Sequence, residues 1–424
     1  MILIFWKGKV GKWVAELCDY LWLSYDMLDD TDVGKDFSPY SQIIPSPGIS
    51  GTHAIYDTGK VMSELDFVSQ YLPHRFQTIA ITGTDGKSTA TWMLYNILQK
   101  EYFGKKSVYI SGNFDIPFSS TVLEILRKWE KTGYIVLEVS SFMSHSLHYF
   151  SPDYSILLNL KPDHLNWHTD IGEYLDAKMH LLERTKKKSI LNQQVIDFAN
   201  EKNLKITVPN NARIFQFTSE RIFRDMTNGE DIIISGRRKY QLSETHFSGL
   251  HNAMNILACV LVTHEMKICS KHTKKYLSEI RWLPHRLEKI GEKNGIIFIE
   301  DSKSTSSQSL EAALSSYGEK KNLLLIVGWS DKWDSFMHLA WRFHHRVKAL
   351  VCMGTTKNHF IQIAEQENIE YFSTDSIPDA VTWLYEKWVA WDVLMLSPWC
   401  ASFGLFRDYL HRAEVYREAI KNLR

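Results

Sequence analysis

Short apolar runs, each followed by a turn and then by a stretch with helical spacing, recur along the whole chain. Runs of this length that end in Gly, Pro or Asp are typical of strands in parallel sheets, which are covered on both faces. The pattern predicts strands at 2–5, 24–30, 42–50, 77–83, 107–111, 134–140, 154–160, 295–301, 322–328, 349–354 and 392–398. Because helical stretches separate these strands, the chain is predicted to have an α/β fold.

Two proline-containing segments divide this pattern into three parts. They read YLPHRF at 71–76 and RWLPHRLE at 281–288. We therefore predict three α/β domains, at 1–73, 74–280 and 281–424. The first and third are expected to be Rossmann-like, and the central one to be a P-loop-type mononucleotide-binding sheet.

Composition excludes several classes of function. The 424 residues contain 49 Lys+Arg and 49 Asp+Glu, and a net charge of zero argues against a general nucleic-acid or membrane-surface role. Five cysteines without a C-x-x-C pair indicate a reducing compartment, so we expect a cytoplasmic protein. The apolar start MILIF is too short for a signal peptide, and no run approaches the ~18 residues of a membrane span.

The most specific stretch is AITGTDGKSTATWML, at 80–94. A strand stops at Gly83, a short turn follows, and Lys87 opens a helix, whose unpaired N–H groups attract anions. Lys87 can reach the outer phosphates of a nucleotide, and the hydroxyl of Ser88 or Thr89 can ligate Mg²⁺. The strict GxxxxGK[ST] pattern fails, because Ile81 stands at its first position. An ordinary turn with a solvated lysine is the alternative, but the order of strand, turn and helix favours a nucleotide site. The predicted nucleotide-binding residues of this loop are Gly83, Thr84, Asp85, Gly86, Lys87, Ser88 and Thr89.

Polar side chains also follow the next two strands of the central part. Glu138 stands at the carboxyl end of YIVLE and is either a Mg²⁺ ligand or a buried carboxylate paired with a lysine. NLKPDHLNWH, at 159–168, places His164 and His168 at the same edge of the sheet, which favours a functional role. Lys178 lies on a predicted helix, and its spacing alone indicates a surface lysine.

Seven segments together resemble the Mur ligases of peptidoglycan synthesis. In chain order they are TGTDGKST, EVSSF, LNLKPDHLNWH, GLHNAMN, LPHRLE, EDSKST and LSPWCASF. LPHRLE and SPxCAS resemble the members that add D-glutamate to UDP-N-acetylmuramoyl-L-alanine more than the ligases for other amino acids or for folate. The resemblance implies an ATP-dependent ligase that works through an acyl phosphate with two Mg²⁺ ions. It also implies a cytoplasmic monomer that contributes to cell shape and division.

The resemblance further implies roles for individual residues. Lys87 would bind the ATP phosphates, Ser88 and Glu138 would hold one Mg²⁺, and His164 would hold the second. Lys178 would be carbamylated, which turns a cation into an anionic group at the metal site and reverses its interpretation as a surface lysine.

Contacts with nucleotide and substrates are also implied by the resemblance. The expected contacts are Asn255, Arg286 and Asp301 for the nucleotide; Asp30 and Thr31 for the uridine, in a UDP-substrate-binding first domain; Asn113 for the muramoyl group; and Lys332, Ser402 and Tyr409 for D-glutamate, in an amino-acid-binding third domain.

Tryptophan stands where the resemblance leads us to expect glycine or another small residue. These positions are Trp6, Trp282, Trp329, Trp333, Trp391 and Trp399. Glycine at position 6 would complete G-x-G-x-x-G directly after a strand, a phosphate-loop pattern. We hypothesise that the gene comes from an organism that reads UGA as glycine. The alternative is that the indoles are genuine and pack as core or interface anchors; the tryptophan of LNWH, Trp167, looks authentic.

Two other functions stay open. The chain could be another ATP-dependent amide ligase of the same family, for a different amino acid or for folate. It could also be a nucleotide-binding module without turnover, because indoles at Trp329 and Trp333 would crowd Lys332. The presence of Lys87, Glu138, His164 and Lys178, the expected phosphate- and metal-binding set, argues against a binding module without turnover.

Overall fold

The computed structural model describes most of the chain. Outside the described residues lie 6–7, 30–35, 50, 52, 115, 164–166, 217–219, 225–230, 248, 305–309, 311–312, 315–320, 330–339, 399–404 and 424, together with the side chains of Arg224 and Trp329. The described residues form two compact units, Met1–Ile280 and Arg281–Arg424. The further division of the first unit near residue 73 stays a prediction.

The first unit alternates strands with helices. Its strands are β1 (Ile2–Phe5), β2 (Tyr25–Leu28), β3 (Gln42–Pro45), β4 (Arg75–Thr82), β5 (Ser107–Gly112), β6 (Thr132–Glu138), β7 (Tyr154–Leu157), β8 (Lys188–Asn192), β9 (Ala212–Phe215), β10 (Glu220–Arg224), β11 (Asp231–Ser235) and β12 (Arg238–Gln241). Its helices are α1 (Lys9–Tyr20), α2 (Glu64–Ser69), α3 (Lys87–Glu101), α4 (Phe118–Arg127), α5 (Ser141–His145), α6 (Ile171–Glu183), α7 (Gln193–Glu201), α8 (Leu250–Glu265) and α9 (Ser270–Glu279).

Three sheets organise the first unit. A small parallel sheet has the order β2-β1-β3, and a six-stranded parallel sheet has the order β5-β6-β4-β7-β8-β9. The chain passes from β4 to β5 on one side and later from β6 to β7 on the other, so β4 marks a topological switch point. Ligands of α/β proteins bind at the carboxyl ends of strands at such a point. The third sheet, β10-β11-β12, is antiparallel.

The second unit contains one six-stranded sheet in the order β13-β14-β18-β15-β16-β17. Its strands are β13 (Glu288–Lys293), β14 (Ile296–Glu300), β15 (Leu323–Trp329), β16 (Val347–Gly354), β17 (Glu370–Ser373) and β18 (Val393–Leu396), and its helices are α10 (Ala340–Arg346), α11 (Lys357–Gln366), α12 (Ile377–Tyr385) and α13 (Tyr409–Lys421). Only β13 runs antiparallel to its neighbour among the strands of this sheet.

The predicted apolar runs form buried strands in both units. The prediction of an α/β fold with parallel sheets is confirmed. Ile79, Ala80 and Ile81 of β4 are fully buried, as are Leu324 and Leu325 of β15. The continuous apolar character of these strands follows, because helices cover a parallel sheet on both faces. None of the helices in the described part of the chain combines the length and the apolar character that crossing a membrane requires.

Candidate active site

The loop between β4 and α3 approaches its neighbours too closely for most side chains. Gly83 has φ +152° and Gly86 has φ +80°, and both angles favour glycine. A Cβ atom on Gly86 would lie 2.5 Å from Oδ1 of Asn255, which projects from α8. Asn255, predicted as a nucleotide contact, therefore packs directly against the loop. Among the described residues, no side chain caps the amino end of α3, which begins at Lys87, and the positive end of the helix dipole points into the loop.

Asn159, just beyond the end of β7, holds the loop in shape. Its Oδ1 accepts hydrogen bonds from the N–H groups of Thr84 (3.1 Å) and Asp85 (2.8 Å). Its Nδ2 donates to the carbonyl oxygen of Asp85 at 3.0 Å. One side chain thus makes three of the hydrogen bonds that hold the loop. Sequence reasoning missed this residue, although a polar side chain directly after a buried strand was a usable signal.

Lys87 folds over the same loop. Its Nζ donates to the carbonyl oxygens of Gly83 (2.9 Å) and Thr84 (2.6 Å), so the ammonium group stays at the carboxyl edge of the sheet. Ser88, the next residue of α3, is 8% exposed. The loop therefore brings a cation, a hydroxyl group and a helix N-terminus to one place.

Glu138 ends β6 beside the carboxyl end of β4, where it pairs with Ile81. Its side chain is buried, and its Oε1 accepts a hydrogen bond of 2.8 Å from Nδ2 of Asn113. Its Oε2 has no hydrogen-bond partner among the described residues. A buried carboxylate oxygen without a partner is costly unless a cation binds it, which makes this atom a candidate metal ligand.

Lys178 of α6 is buried and does not lie on the surface, so the interpretation from spacing alone is wrong. Its Nζ donates to the carbonyl oxygen of Gly83 at 3.0 Å and lies 4.4 Å from the ring centre of Tyr174. Burial lowers the pKa of this amine well below its ordinary value, and the nearby charge of Lys87 lowers it further. The lowered pKa favours the neutral, nucleophilic form of the Lys178 amine.

Two aromatic residues in the segment that follows β7 bond to other parts of the first unit. Trp167 donates from Nε1 to the carbonyl oxygen of Ile49 at 3.0 Å, and His168 Nε2 lies 2.9 Å from Oγ of Ser141. Both aromatic side chains are buried, which supports Trp167 as an authentic tryptophan. His164, the predicted second metal ligand, lies outside the described residues.

A cavity of about 150 Å³ lies in the first unit, lined by Lys9, Val10, Pro47, Glu64, Gly112, Asn113, Pro117 and Met143. Asn113 thus lines a cavity while it orients Glu138. Lys9 contributes a positive charge and opens α1. Of the other predicted substrate contacts, Asp30 and Thr31 lie outside the described residues.

In the second unit, Asp301 follows β14 and is buried. It accepts hydrogen bonds from Leu287 N–H (3.1 Å) and from the Ser397 hydroxyl (2.8 Å). Burial raises the pKa of Asp301 to about 7, and the charge of Arg286 opposes that rise. The side chain of Tyr409, the first residue of α13, lies with its ring centre 5.9 Å from that of His285. Lys332 and Ser402, predicted to bind D-glutamate, lie outside the part of the chain that the structure describes.

A second group of metal-type side chains, His285, Glu288 and Glu300, also lies in this unit. Arg417 bonds through one nitrogen to Oε2 of Glu288 (2.5 Å) and Oε2 of Glu300 (3.0 Å). The guanidinium pairs with both carboxylates, and His285 bonds to Glu300, so this cluster is an ion-pair network.

Comparisons with known proteins agree with this geometry. The Mur ligase middle domain matches residues 81–263. A UDP-N-acetylmuramoylalanine–D-glutamate ligase from Aquifex aeolicus is 32% identical over 386 residues, which cover 89% of this chain and 87% of that protein. A ligase of the same name from Caldicellulosiruptor bescii is 30% identical over 374 residues, with coverages of 86% and 79%.

Solved structures show the same fold. The MurF ligase from Thermotoga maritima in complex with ADP superposes with a TM-score of 0.62 at 16% identity, covering 99% of this chain and 94% of that one. MurC from the same organism gives a TM-score of 0.61 at 15% identity, with 99% of each chain covered. The chain belongs to the Mur ligase family, whose members are ATP-dependent ligases that form amide bonds. Its relatives over most of its length are the D-glutamate-adding ligases, as the sequence segments predicted.

Proposed function

We propose that the chain joins D-glutamate to UDP-N-acetylmuramoyl-L-alanine, at the expense of ATP and through an acyl phosphate, in the synthesis of peptidoglycan precursors. The names of the relatives that span most of the chain support this choice of substrates. The single observation that carries the proposal is the convergence of Lys87 and Lys178 on one carbonyl oxygen, that of Gly83, at the mouth of the central sheet.

The loop from Gly83 to Thr89 binds the phosphates in this proposal. Its helix N-terminus and the ammonium of Lys87 supply positive charge where negative charge develops on the transferred phosphoryl group. The MurF structure with ADP, which shares this fold, is consistent with a nucleotide here. Asn255 packs against the loop, and Arg286 and Asp301 of the second unit are the remaining proposed nucleotide contacts.

The donor set fits a magnesium ion. The partnerless Oε2 of Glu138 and the hydroxyl of Ser88 are hard oxygen donors, the type that Mg²⁺ prefers. Bound Mg²⁺ supplies charge neutralisation on the phosphates. Asn113 fixes the carboxylate of Glu138 through Oε1, which leaves Oε2 free for the metal. A second ion at His164 remains part of the proposal.

Lys178 is proposed to react with carbon dioxide through its neutral amine. The amine nitrogen attacks the carbon of CO₂ to form an N–C bond, and one proton is released as the carbamate anion forms. The lowered pKa favours the neutral amine that this step requires. The product places a negative charge beside the ammonium group of Lys87, where the unmodified amine is either neutral or repelled by that charge.

The two other substrates are assigned to different parts of the chain. The cavity beside Lys9 and Asn113 is proposed to receive the UDP-linked muramoyl substrate, with Asp30 and Thr31 near the uridine. Tyr409, Lys332 and Ser402 are proposed to bind the carboxylates of D-glutamate. We further propose a cytoplasmic monomer that serves cell-wall synthesis, and thereby cell shape and division.

A substrate screen tests this function. Phosphate release from ATP is measured with UDP-N-acetylmuramoyl-L-alanine and with D-glutamate, L-alanine, a diamino acid or no amino acid, and in parallel with a folate. Release that depends on D-glutamate is expected. Release that depends on another amino acid or on folate would identify a different ligase of the family. Nucleotide binding without release under any condition would identify a binding module.

A further inference from the structure

Three tryptophans occupy backbone conformations that glycine normally supplies. Trp22, Trp129 and Trp391 have φ angles of +59°, +55° and +77°. In this left-handed region the Cβ atom of an L-residue crowds the backbone, and for a bulky residue such an angle is a genuine outlier. The described chain has ten non-glycine residues with positive φ, and three of them are asparagines. Asparagine tolerates this region better than most non-glycine residues because its short polar side chain can form a local hydrogen bond.

Trp22 terminates α1 in a hydrogen-bond pattern that belongs to glycine. Its N–H donates to the carbonyl oxygen of Asp19 at 3.2 Å, and the N–H of Leu23 donates to that of Cys18 at 2.9 Å. This pair of bonds defines the Schellman motif, in which the residue at the C′ position is left-handed and is usually glycine.

Trp129 repeats the arrangement at the end of α4. Its N–H donates to the carbonyl oxygen of Leu126 at 3.1 Å, and the N–H of Glu130 donates to that of Ile125, also at 3.1 Å. The same motif closes α7 and α11 with Asn203 and Asn368, and α8 with Lys267. Among the described helices, tryptophan is the only aromatic residue that has a positive φ at this position.

Trp391 lies in a turn between α12 and β18. The N–H of Asp392 donates to the carbonyl oxygen of Val389 at 3.0 Å, which makes Trp391 the third residue of a four-residue turn. A positive φ at this position of a type II turn requires glycine or asparagine. Trp391 was one of the positions where the family resemblance called for glycine, so two independent observations agree on it.

The side chains gain little from being tryptophan. The indoles are 94% (Trp22), 75% (Trp129) and 77% (Trp391) exposed, so they leave apolar surface in water and contribute no core packing. A docking surface would explain exposed indoles but would not require a left-handed backbone at each of them. Glycine explains both the conformation and the exposure.

We infer that residues 22, 129 and 391 are glycine in the protein as its own organism makes it, because their codons are UGA and are read there as glycine. The inference extends the hypothesis of misread codons to positions 22 and 129, which the sequence alone did not single out. Trp282 has no positive φ; Trp6, Trp333 and Trp399 lie outside the described residues, as does the side chain of Trp329. The inference stands apart from the proposed ligase activity.

The codons and the native protein give the direct test. UGA codons are expected at positions 22, 129 and 391, and UGG is expected at Trp167, whose buried indole donates a hydrogen bond. Mass spectrometry of peptides from the native host should then show glycine at the three positions and tryptophan at 167. UGG codons, or tryptophan in the native peptides at the three positions, would overturn the inference.

Stability measurements on the chain as written test the physical reason. Trp22→Gly and Trp129→Gly should each raise the melting temperature by about 2 to 4 °C, because they remove the strain of a left-handed Cβ. Trp22→Ala and Trp129→Ala are matched controls that remove the indole but keep Cβ, and they should not produce this rise. Trp341→Gly, at an exposed helical tryptophan of α10, should lower the melting temperature. An alanine effect equal to the glycine effect would contradict the backbone argument.

Discussion

The carbonyl oxygen of Gly83 accepts a hydrogen bond of 3.0 Å from Lys178, and Lys87 donates to the same oxygen at 2.9 Å. Two lysines on one oxygen would repel each other if both were charged. Burial lowers the pKa of the Lys178 amine, and the repulsion from Lys87 lowers it further. This relation favours the neutral amine that the proposed carbamylation of Lys178 requires, and the first prediction tests that proposal.

Removal of Lys178 should abolish turnover and leave a cavity that a small anion can occupy. Lys178→Ala is expected to lose at least ~100-fold in phosphate release, since the anionic group that the proposal places at the metal site is lost. Addition of acetate should restore part of the rate, because its carboxylate replaces that of the carbamate. Lys202→Ala, at an exposed lysine of the same unit, is the control and should behave as the parent does. Full activity of Lys178→Ala without acetate would contradict the proposed role.

Glu138 should control the magnesium requirement. Glu138→Gln removes the negative charge behind the partnerless Oε2, so the magnesium concentration for half-maximal rate should rise at least ~10-fold. Asn113→Ala keeps the carboxylate and removes only the 2.8 Å bond to Oε1, so its magnesium shift should be smaller. The measurement is phosphate release against magnesium concentration. An unchanged requirement in Glu138→Gln would exclude this residue as a ligand.

Gly112 places β5 against the end of β6, and only glycine allows that approach. It has φ +89°, and a Cβ atom there would lie 2.2 Å from the carbonyl oxygen of Glu138. Gly104 has φ +68° with open space around it, so Gly104→Ala isolates the cost of the angle, about 1–2 kcal/mol. Gly112→Ala should cost about 1–3 kcal/mol more, because the overlap forces the backbone to shift.

Denaturant midpoints measure both glycine variants. Gly104→Ala should retain ligase activity, whereas Gly112→Ala should lose it, since Glu138 moves. Equal losses of stability in the two variants would show that the close approach to Glu138 has no cost.

Asp301 should make the stability of the second unit fall as pH rises. Its pKa is raised from 3.8 to about 7 in the folded protein, so the folded chain binds more protons than the unfolded chain between these values. The contribution of this group to stability is therefore fully present below pH 3.8 and is lost as pH rises through about 7. Asp301→Asn should remove a decline of up to about 1.4 kcal/mol per pH unit. Urea unfolding between pH 4 and 8 measures it.

An exposed acid of the same unit provides the control for the pH experiment. Glu386→Gln removes an exposed carboxylate, so the pH dependence of the unfolding free energy should stay that of the parent. If Asp301→Asn and the parent show the same slope, the carboxyl group titrates normally in the folded chain.

Local order along the chain made the fold and the strand–turn–helix arrangement around Lys87 predictable. The strand, turn and helix around Lys87 are adjacent in sequence, so apolar spacing and glycine positions were sufficient. The same holds for Glu138, because it is the last residue of a buried strand. The parallel strands β8, β9 and β17, the antiparallel strands β10–β12 and the edge strand β13 were not predicted. β13 reads EKIGEK, and its charged residues hide the alternation that normally identifies a strand.

Long-range packing decided what the sequence could not show. Lys178 looks like a surface lysine in its helix, and only the packing of α6 under the loop buries it. The hydrogen bonds that Thr84 and Asp85 donate to Asn159 join residues more than seventy positions apart in the sequence. The left-handed angles of Trp22 and Trp129 depend on how the helix ends are hydrogen-bonded, which residue identity alone did not indicate.

The most direct test of the central claim is the affinity for a magnesium complex of a non-hydrolysable ATP analogue, measured by calorimetry. Lys87→Met is expected to weaken binding at least ~10-fold, because it removes the loop's ammonium group. Lys100→Met, near the opposite end of α3, removes a lysine that pairs with Glu279 and should leave the affinity unchanged. Equal affinities for the parent and Lys87→Met would contradict a triphosphate site at this loop.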